Sequence, residues 1–407
     1  MGAVEYRGSV LYLTKNGLLE PLGQSQVMAY IRGLSTHYRI TIISFEKPED
    51  WANLKRVDIL KAECEALGIY WLPHRFLRGP RLISPVWNLL QMVWLSANAL
   101  RSQNVQLVHA RSYIPAAVAW LLGRLTQVPF IFDMRALWPE ELITAGRLRR
   151  GSWLHRQMVV AERACLRDAA GVVSLTNSAV DHLTQAYPKD FSRERVVVIP
   201  TCADLVRFKP ASPPVQRLEL GCLGTVLSGW FKLDWLAAFI TVVAQQHTRL
   251  QFRFTTVDDP SAVRQRLGFA PSINERLTIE ACPSDDVQEV LRGQMASLMF
   301  FSQGLGKLGS SPTRMAEILG CGVPVVANEG VGDVARIIRD HRVGVLVNSS
   351  QPADLMAAWS ELQALLLDPG LAQRCRETAE KYFSLTAGTQ AYADLYERVL
   401  TRSRADL

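Results

Sequence analysis

Residues 301–328 read FSQGLGKLGSSPTRMAEILGCGVPVVAN. An apolar run from Ser297 to Phe301 predicts a strand that empties into a glycine-rich loop. Ser311 and Pro312 then predict a helix opening, with a hydroxyl at the N-cap and proline at the first helical position. Such an opening presents backbone N–H groups to an anion. Glu317 falls about one and a half turns further on, where a carboxylate accepts hydrogen bonds from sugar hydroxyls. Gly320 and Gly322 stop the helix, and VPVVA starts the next buried strand. Strand, loop, helix and strand in this order describe one unit of a parallel α/β sheet.

The alternation extends outward in both directions. In the first half, strands are predicted at residues 10–13, 40–45, 69–72, 106–109, 130–133, 172–175 and 196–199, and in the second at 218–223, 251–256, 276–279, 297–301, 323–327 and 344–347. Helical patterns fill the gaps, so each half reads as a parallel sheet covered on both faces. At 407 residues the chain exceeds what one core usually supports. PTCADLVRFKPASPP, residues 200–214, holds four prolines and reads as the linker between the halves.

Composition restricts the function. Seven scattered cysteines form no CxxC pair, which suggests reduced core thiols in a cytoplasmic protein. No uncharged apolar run reaches the ~18–20 residues needed to span a bilayer. Residues 1–200 carry a net charge of +8 and the remainder −1. No acidic residue lies between Glu65 and Asp133, whereas Arg75, Arg78, Arg81, Arg101, Arg111 and Arg124 do. Within that span PVWNLLQMVWLSANAL, residues 85–100, reads either as an interfacial helix on an anionic membrane or as a core helix beside a basic surface. RLRRGSWLHR, residues 147–156, is likewise basic and aromatic. Nothing in the sequence suggests a nucleic-acid partner.

The stretch around Glu317 resembles the C-terminal donor site of family 4 glycosyltransferases, retaining enzymes of the two-domain GT-B fold. Two glutamates eight residues apart enclose a glycine-rich turn in that family, followed by a small-Gly-x-Pro-Val strand entry. Glu317 and CGVPVV match the second half of the pattern, and Gly309 stands where the first glutamate would be. The resemblance extends to EPLGQSQV, FDMR and VIPTCADLVRFKP, with the EPLGQSQV loop marking a subset of the family. It implies an α/β GT-B fold with two Rossmann-like doubly wound domains facing across a cleft. Residues 1–205 would bind the acceptor and residues 206–385 the nucleotide-sugar donor, with a final helix, 386–407, returning to the N-terminal domain.

Candidate residues follow on each half. KNGLLEPLGQSQV, after the first strand, offers Gly17 or Gly23 for close backbone approach to a diphosphate or an acceptor head group, with Gln24 beside them. HARSY, ending the fourth strand, offers His109 or Arg111, which point the same way and suggest an anion-facing edge; the resemblance implies that one of them is a catalytic residue facing the sugar. FDMRALWPEE groups Asp133, Arg135, Glu140 and Glu141 at the fifth strand end, able to bind acceptor hydroxyls or supply a base. On the donor side, Ser310, Ser311 and Thr313 supply N–H and hydroxyl donors beside Gly309.

Sugar transfer from a nucleotide diphosphate develops positive charge at the anomeric carbon and negative charge on the leaving phosphate. The resemblance implies that an Arg and a Lys after the first C-domain strand meet the latter without a metal or other cofactor. Here GTVLSGWFK places Thr225 and Trp230 at those positions, with Lys232 two residues later. Lys307 and Arg314 flank the helix opening, and Arg314 is the favoured substitute cation. The expected activity is therefore sugar transfer to a lipid-linked or polysaccharide acceptor at the cytoplasmic membrane face. A catalytically silent sugar-nucleotide-binding or assembly subunit is the alternative, and a GT-B sugar-nucleotide epimerase a remoter one.

Overall fold

The computed structural model describes residues 6–80, 83–212 and 219–405. The chain divides into two compact units. One runs to Pro200 and takes in the chain again from Leu385, and the other is Thr201–Ser384.

The first unit is built on seven strands: β1 (Ser9–Thr14), β2 (Arg39–Glu46), β3 (Tyr70–Arg75), β4 (Leu107–Arg111), β5 (Phe130–Asp133), β6 (Gly171–Ser174) and β7 (Val196–Val198). All pair in parallel, in the order β3-β2-β1-β4-β5-β6-β7. The sheet grows outward from β1 to β3, then returns to place β4 on β1's other side, with Leu11 opposite Val108. That reversal opens a crevice beyond the carboxyl ends of β1 and β4, where ligands of such sheets bind. VLYL in β1 and LVHAR in β4 are buried throughout, because helices cover both faces. Three of these helices matter below: α1 (Ile83–Ser102), α2 (Tyr113–Thr126) and α3 (Trp153–Asp168).

The second unit has six strands: β8 (Glu219–Leu223), β9 (Gln251–Thr255), β10 (Leu277–Glu280), β11 (Gln294–Met299), β12 (Val325–Asn328) and β13 (Gly344–Val347), ordered β10-β9-β8-β11-β12-β13. Its crevice lies between the ends of β8 and β11. Apolar clusters cover both faces, one around Phe239, Phe252 and Trp359, the other around Met315, Ile318 and Leu319 of helix α4 (Thr313–Gly320). Of the strand segments expected from the sequence, only Leu218 lies outside the described residues.

The proline-rich segment after Pro200 is not a free linker. Ala203, Leu205 and Phe208 are buried in the second unit's core, and the Ala203 amide donates to the Phe383 carbonyl at 2.9 Å. Gly320 permits this packing, since a Cβ there would lie 2.9 Å from Leu205 Cδ2. Apolar residues between the prolines thus outweigh the turn signals. Pro213 and Pro214 lie outside the described residues.

Helix α5 (Leu385–Ala405) belongs to the first unit. It buries Tyr392, Leu395, Tyr396, Val399 and Leu400, and its Ala393 carbonyl accepts from the Tyr38 hydroxyl at 3.1 Å. Gly171, at the start of β6, leaves room for it: a Cβ would meet Leu395 Cδ1 at 2.8 Å. Valine suits strands intrinsically, so Gly171→Val isolates the steric term. The variant is expected to lose about 1–3 kcal/mol of unfolding free energy, the usual cost of overpacking, as measured by chemical denaturation. An unchanged midpoint would show that α5 yields at no cost.

Candidate functional site

In the second unit, the loops after β8 and β11 are joined across the crevice. The Lys232 amide donates to the Phe300 carbonyl (2.9 Å), the Ser302 amide to the Trp230 carbonyl (2.8 Å), and the Phe231 and Phe301 rings meet with centroids 4.8 Å apart. Asn328, ending β12, fixes the same point, accepting from the Phe301 amide at 2.7 Å and donating to its carbonyl at 3.0 Å. This is why β11 stops at Met299 and not at Phe301, as the apolar run suggested. The 3₁₀ turn Leu305–Gly309 follows, and its Lys307 carbonyl accepts from the Gly332 amide at 2.9 Å. The NEGVGD loop is thereby tied to the glycine-rich loop.

Helix α4 begins one residue later than expected. Pro312 occupies the N-cap position and no side chain caps the helix. The Ser311 hydroxyl, expected to do so, instead accepts from the Thr201 amide at 3.1 Å. Ser310 is buried beside this opening, and its hydroxyl has no hydrogen-bond partner. A buried hydroxyl left unmet is costly, so a ligand atom or water there is favoured. Gly309 is buried too, while Thr313 is partly exposed on the first turn.

The cations are held by aromatic rings. Lys307 Nζ lies 3.1 Å from the centre of the Trp230 ring, and Lys232 Nζ 3.5 Å from that of Trp235. Burial lowers the Lys232 pKa from its ordinary value. Thr225 is exposed in the turn after β8, where its carbonyl accepts from the Ser228 hydroxyl. Arg314 Nη1 and Glu317 Oε2 pair at 2.6 Å across one turn of α4. Trp230, absent from the sequence-based candidates, supplies the face on which Lys307 rests.

In the first unit, Glu46 organises the loop after β1. Its carboxylate accepts from the Leu18 and Leu19 amides at 2.8 and 3.1 Å. Gly23 is helical, and its value is close approach: a Cβ would lie 2.1 Å from the Gly17 carbonyl oxygen. The Gln24 side-chain Nε2 donates to the Leu18 carbonyl at 2.7 Å. Both residues therefore shape this loop.

His109, Arg111, Asp133 and Arg135 come together at the ends of β4 and β5, in a buried cluster closed by α5. His109 Nδ1 lies 2.6 Å from the Tyr396 hydroxyl and Nε2 3.3 Å from Asp133 Oδ2, while the Tyr392 hydroxyl donates to the same oxygen at 3.2 Å. Asp133 lies 3.9 Å from Arg111 and 3.6 Å from Arg135, and Gln26 accepts from Arg135 at 2.8 Å. Gln26 sits in a π-turn, Gln24–Met28, which brings it against both arginines. Tyr392 and Tyr396, four residues apart on one helical face, were legible as a pair in YADLY. Glu140 is a salt-bridge partner of Arg150.

The electrostatics follow from burial. Desolvation pushes the His109 pKa down despite Asp133, so the ring is neutral at pH 7. Burial also works against the Asp133 carboxylate, but Arg135, His109 and Arg111 overcome it and hold the carboxyl well below its usual range. Two guanidinium groups share one carboxylate, and Arg111 Nε and Nη1 and Arg135 Nε have no hydrogen-bond partners.

Two cavities also lie in this unit, at the carboxyl end of its sheet. One, of about 590 Å³, is lined chiefly by apolar side chains from β2, α1, α2 and α3, and the other, of about 310 Å³, by Lys15, Asn16, Glu20 and Lys47 among others. The sequence marked α1 as apolar but gave no sign of the cavity behind it, which needs three helices to close.

A parallel sheet with this switch point, followed by a second of the same kind, invites comparison with known proteins. Residues 24–202 match the glycosyl transferase 4-like domain. That match spans less than half of the chain. It is 25% identical over 320 residues to a D-inositol 3-phosphate glycosyltransferase of Streptomyces bingchenggensis, covering 72% of this chain and 67% of that protein. A relative so described from Arthrobacter is 26% identical over 284 residues, covering 65% and 62%, and one from Segniliparus rotundus 26% over 288 residues, covering 64% and 60%. The chain spans less than two thirds of the last two. Among solved structures, sucrose-phosphate synthase from Thermosynechococcus elongatus superposes with a TM-score of 0.68 at 14% identity over 97% of this chain and 100% of that one. HepE from Anabaena in complex with UDP and glucose gives 0.65 at 14% over 95% and 99%. The fold is of the GT-B type.

The buried cluster makes stability depend on pH. Neutral His109 favours the folded state above its unfolded pKa of about 6.5, and this contribution is lost as pH falls below it. The depressed Asp133 carboxyl contributes above its unfolded value of about 3.9 and is lost on further acidification. Denaturation between pH 8 and 3 should show both declines. Asp133→Asn should cost about 3–5 kcal/mol at neutral pH, because it leaves buried arginines uncompensated, and should make the lower decline shallower.

Proposed function

We propose that this protein is a retaining, metal-independent glycosyltransferase that moves a sugar from a nucleotide diphosphate sugar to a lipid-linked or polysaccharide acceptor, at the cytoplasmic face of a membrane. The observation that carries the reading is the opening of α4. An uncapped helix start, the orphaned Ser310 hydroxyl, and Arg314 paired to Glu317 gather on the loop that leaves β11. A diphosphate suits the helix start, where N–H groups and the helix dipole attract negative charge. In this proposal Glu317 accepts from ribose hydroxyls, and Arg314, sharing its carboxylate, meets charge on the leaving phosphate. Lys307 and Lys232, held on tryptophan rings, add positive charge. Gly23, Gln24, Gly309, Ser311, Thr225 and Thr313 shape or line the donor and acceptor loops in this proposal. His109, Arg111, Asp133 and Arg135 hold the acceptor crevice in shape from beneath. HepE, whose structure contains UDP and glucose, supports a nucleotide-sugar donor.

Calorimetry with a panel of nucleotide diphosphate sugars tests the donor site. Glu317→Ala should weaken binding by about 1.5–3 kcal/mol, the range for hydrogen bonds to a charged group. Unchanged affinity in the folded variant would remove Glu317 from the site. Arg314→Ala should lower turnover more than donor affinity, because its contribution grows in the transition state. If both parent and variant bind donor but make no product with membrane extract, the chain is instead a sugar-nucleotide-binding subunit. Gly309, in place of the expected glutamate, favours that second reading.

Membrane contact is proposed through α1. Trp87, Leu90 and Trp94 are more than half exposed there, and Arg75 and Arg78, both exposed, precede the helix in sequence. Arg81 lies outside the described residues. No described helix is long and apolar enough to cross a membrane. Each cation near an anionic surface is worth about 1 kcal/mol. Flotation with anionic vesicles should therefore exceed that with neutral ones, and weaken with salt and in the Arg75→Gln/Arg78→Gln variant. Equal flotation with both vesicle types at low salt would refute the contact.

A further inference from the structure

The two cavities described above adjoin. Both are lined by Lys15, Phe45, Phe76, Ile114 and Trp138, which form a collar between an apolar chamber and a polar vestibule. The chamber's volume, about 590 Å³, lies within the range of ligand sites, about 300–1,000 Å³. Beyond the collar its wall is mostly apolar, including Met92 of α1, Ala117 of α2 and Met158 of α3, with Arg78, Ser84 and Asn88 as polar members. The one carboxylate in that wall, Glu162, is masked: its oxygens accept from the Tyr113 and Tyr187 hydroxyls at 2.7 Å each, and burial pushes its pKa up.

The vestibule differs in chemistry. Lys15 projects at the collar without a carboxylate partner among the described residues, its ammonium 5.5 Å from the Phe76 ring centre. Lys47 is beside it, paired with Glu20, whose other oxygen accepts from the Gly17 amide. An unpaired ammonium between an apolar chamber and a polar crevice calls for an anion attached to a hydrocarbon chain.

The outer end of the chamber identifies where that chain comes from. Val86 and Leu89 line the chamber and are also 55% and 41% exposed. They join it to the exposed apolar side chains of α1. Further exposed apolar residues, Leu121 and Leu125 on α2 and Trp153 and Val160 on α3, lie on the other helices that wall the chamber.

We propose that the first unit binds a single-chain lipid phosphate, with its hydrocarbon chain in the α1–α2–α3 chamber and its phosphate beside Lys15. The inference deepens the reading of this unit as an acceptor domain and rests on it, naming the acceptor's anchor as an amphiphile taken from the membrane surface.

Calorimetric titration of the full chain with octyl, decyl and dodecyl phosphate, each below its aggregation concentration, tests the proposal. Affinity should rise roughly four-fold per methylene, the factor for burying one methylene, until the chamber is full. Inorganic phosphate should bind far more weakly, and dodecanol at least ten-fold more weakly than dodecyl phosphate. Ala117→Phe, which fills the chamber, should abolish the dependence on chain length. Leu89→Trp, at the half-exposed mouth, should weaken every alkyl phosphate, and it serves should Ala117→Phe misfold. Lys15→Gln should remove the preference for the phosphate over the alcohol. Affinity independent of chain length, or unaffected by both chamber variants in folded protein, overturns the chamber assignment. Equal binding of alcohol and phosphate overturns the head-group assignment. No sugar nucleotide is present, so failure here is separate from failure of sugar transfer, which is read with a soluble acceptor.

Discussion

Asp133 is the charge on which the first unit's arrangement depends. Two arginines cannot be taken out of water at the ends of β4 and β5 without a counter-ion, and this carboxylate is the one they share, with the neutral His109 ring beside it. Its oxygens reach three elements at once: β4 through His109 and Arg111, the chain after β5 through Arg135, and α5 through Tyr392. The crevice beside β1 is thus backed by a cluster whose members fix one another. Gln26 extends the same constraint to the loop after β1, so loop and strand ends are held by one polar network.

The second unit solves a related problem differently. Asp133 holds its cations by charge, whereas Lys307 and Lys232 rest on indole rings. An aromatic face positions a cation through the ring's quadrupole. The tryptophan at the turn after β8 is therefore part of the cation's support, although it displaces the side chain expected there.

Much of the fold was legible because buried parallel strands are near-continuous apolar runs and the segments between them keep a helical period. The strand edges were less so. β11 ends early because Phe300 and Phe301 turn to meet the loop after β8, a contact between residues about seventy positions apart. The cap of α4 was misread for a similar reason: Ser311 has the right chemistry, but the Thr201 amide claims it. Glu317 and Arg314 could be placed on α4 from the sequence because that needs helical spacing alone. The burial of His109 by Tyr396 was not, since that requires knowing which face of a helix some 290 residues later covers it. The chamber was invisible because each of its walls alone resembles ordinary core.

The position of α5 has a consequence for biosynthesis. The second unit, 201–384, is continuous in sequence, whereas the first lacks its closing helix until the residues from Leu385 onward are translated. Domains usually mature in the order of synthesis. Here the order is inverted at the final step: the later unit has all its residues first, while the earlier one waits with Tyr38 and Asp133 uncovered. A ribosome that stops short of Leu385 releases a chain with one complete unit and one open one, and quality-control proteases meet that exposed apolar groove first.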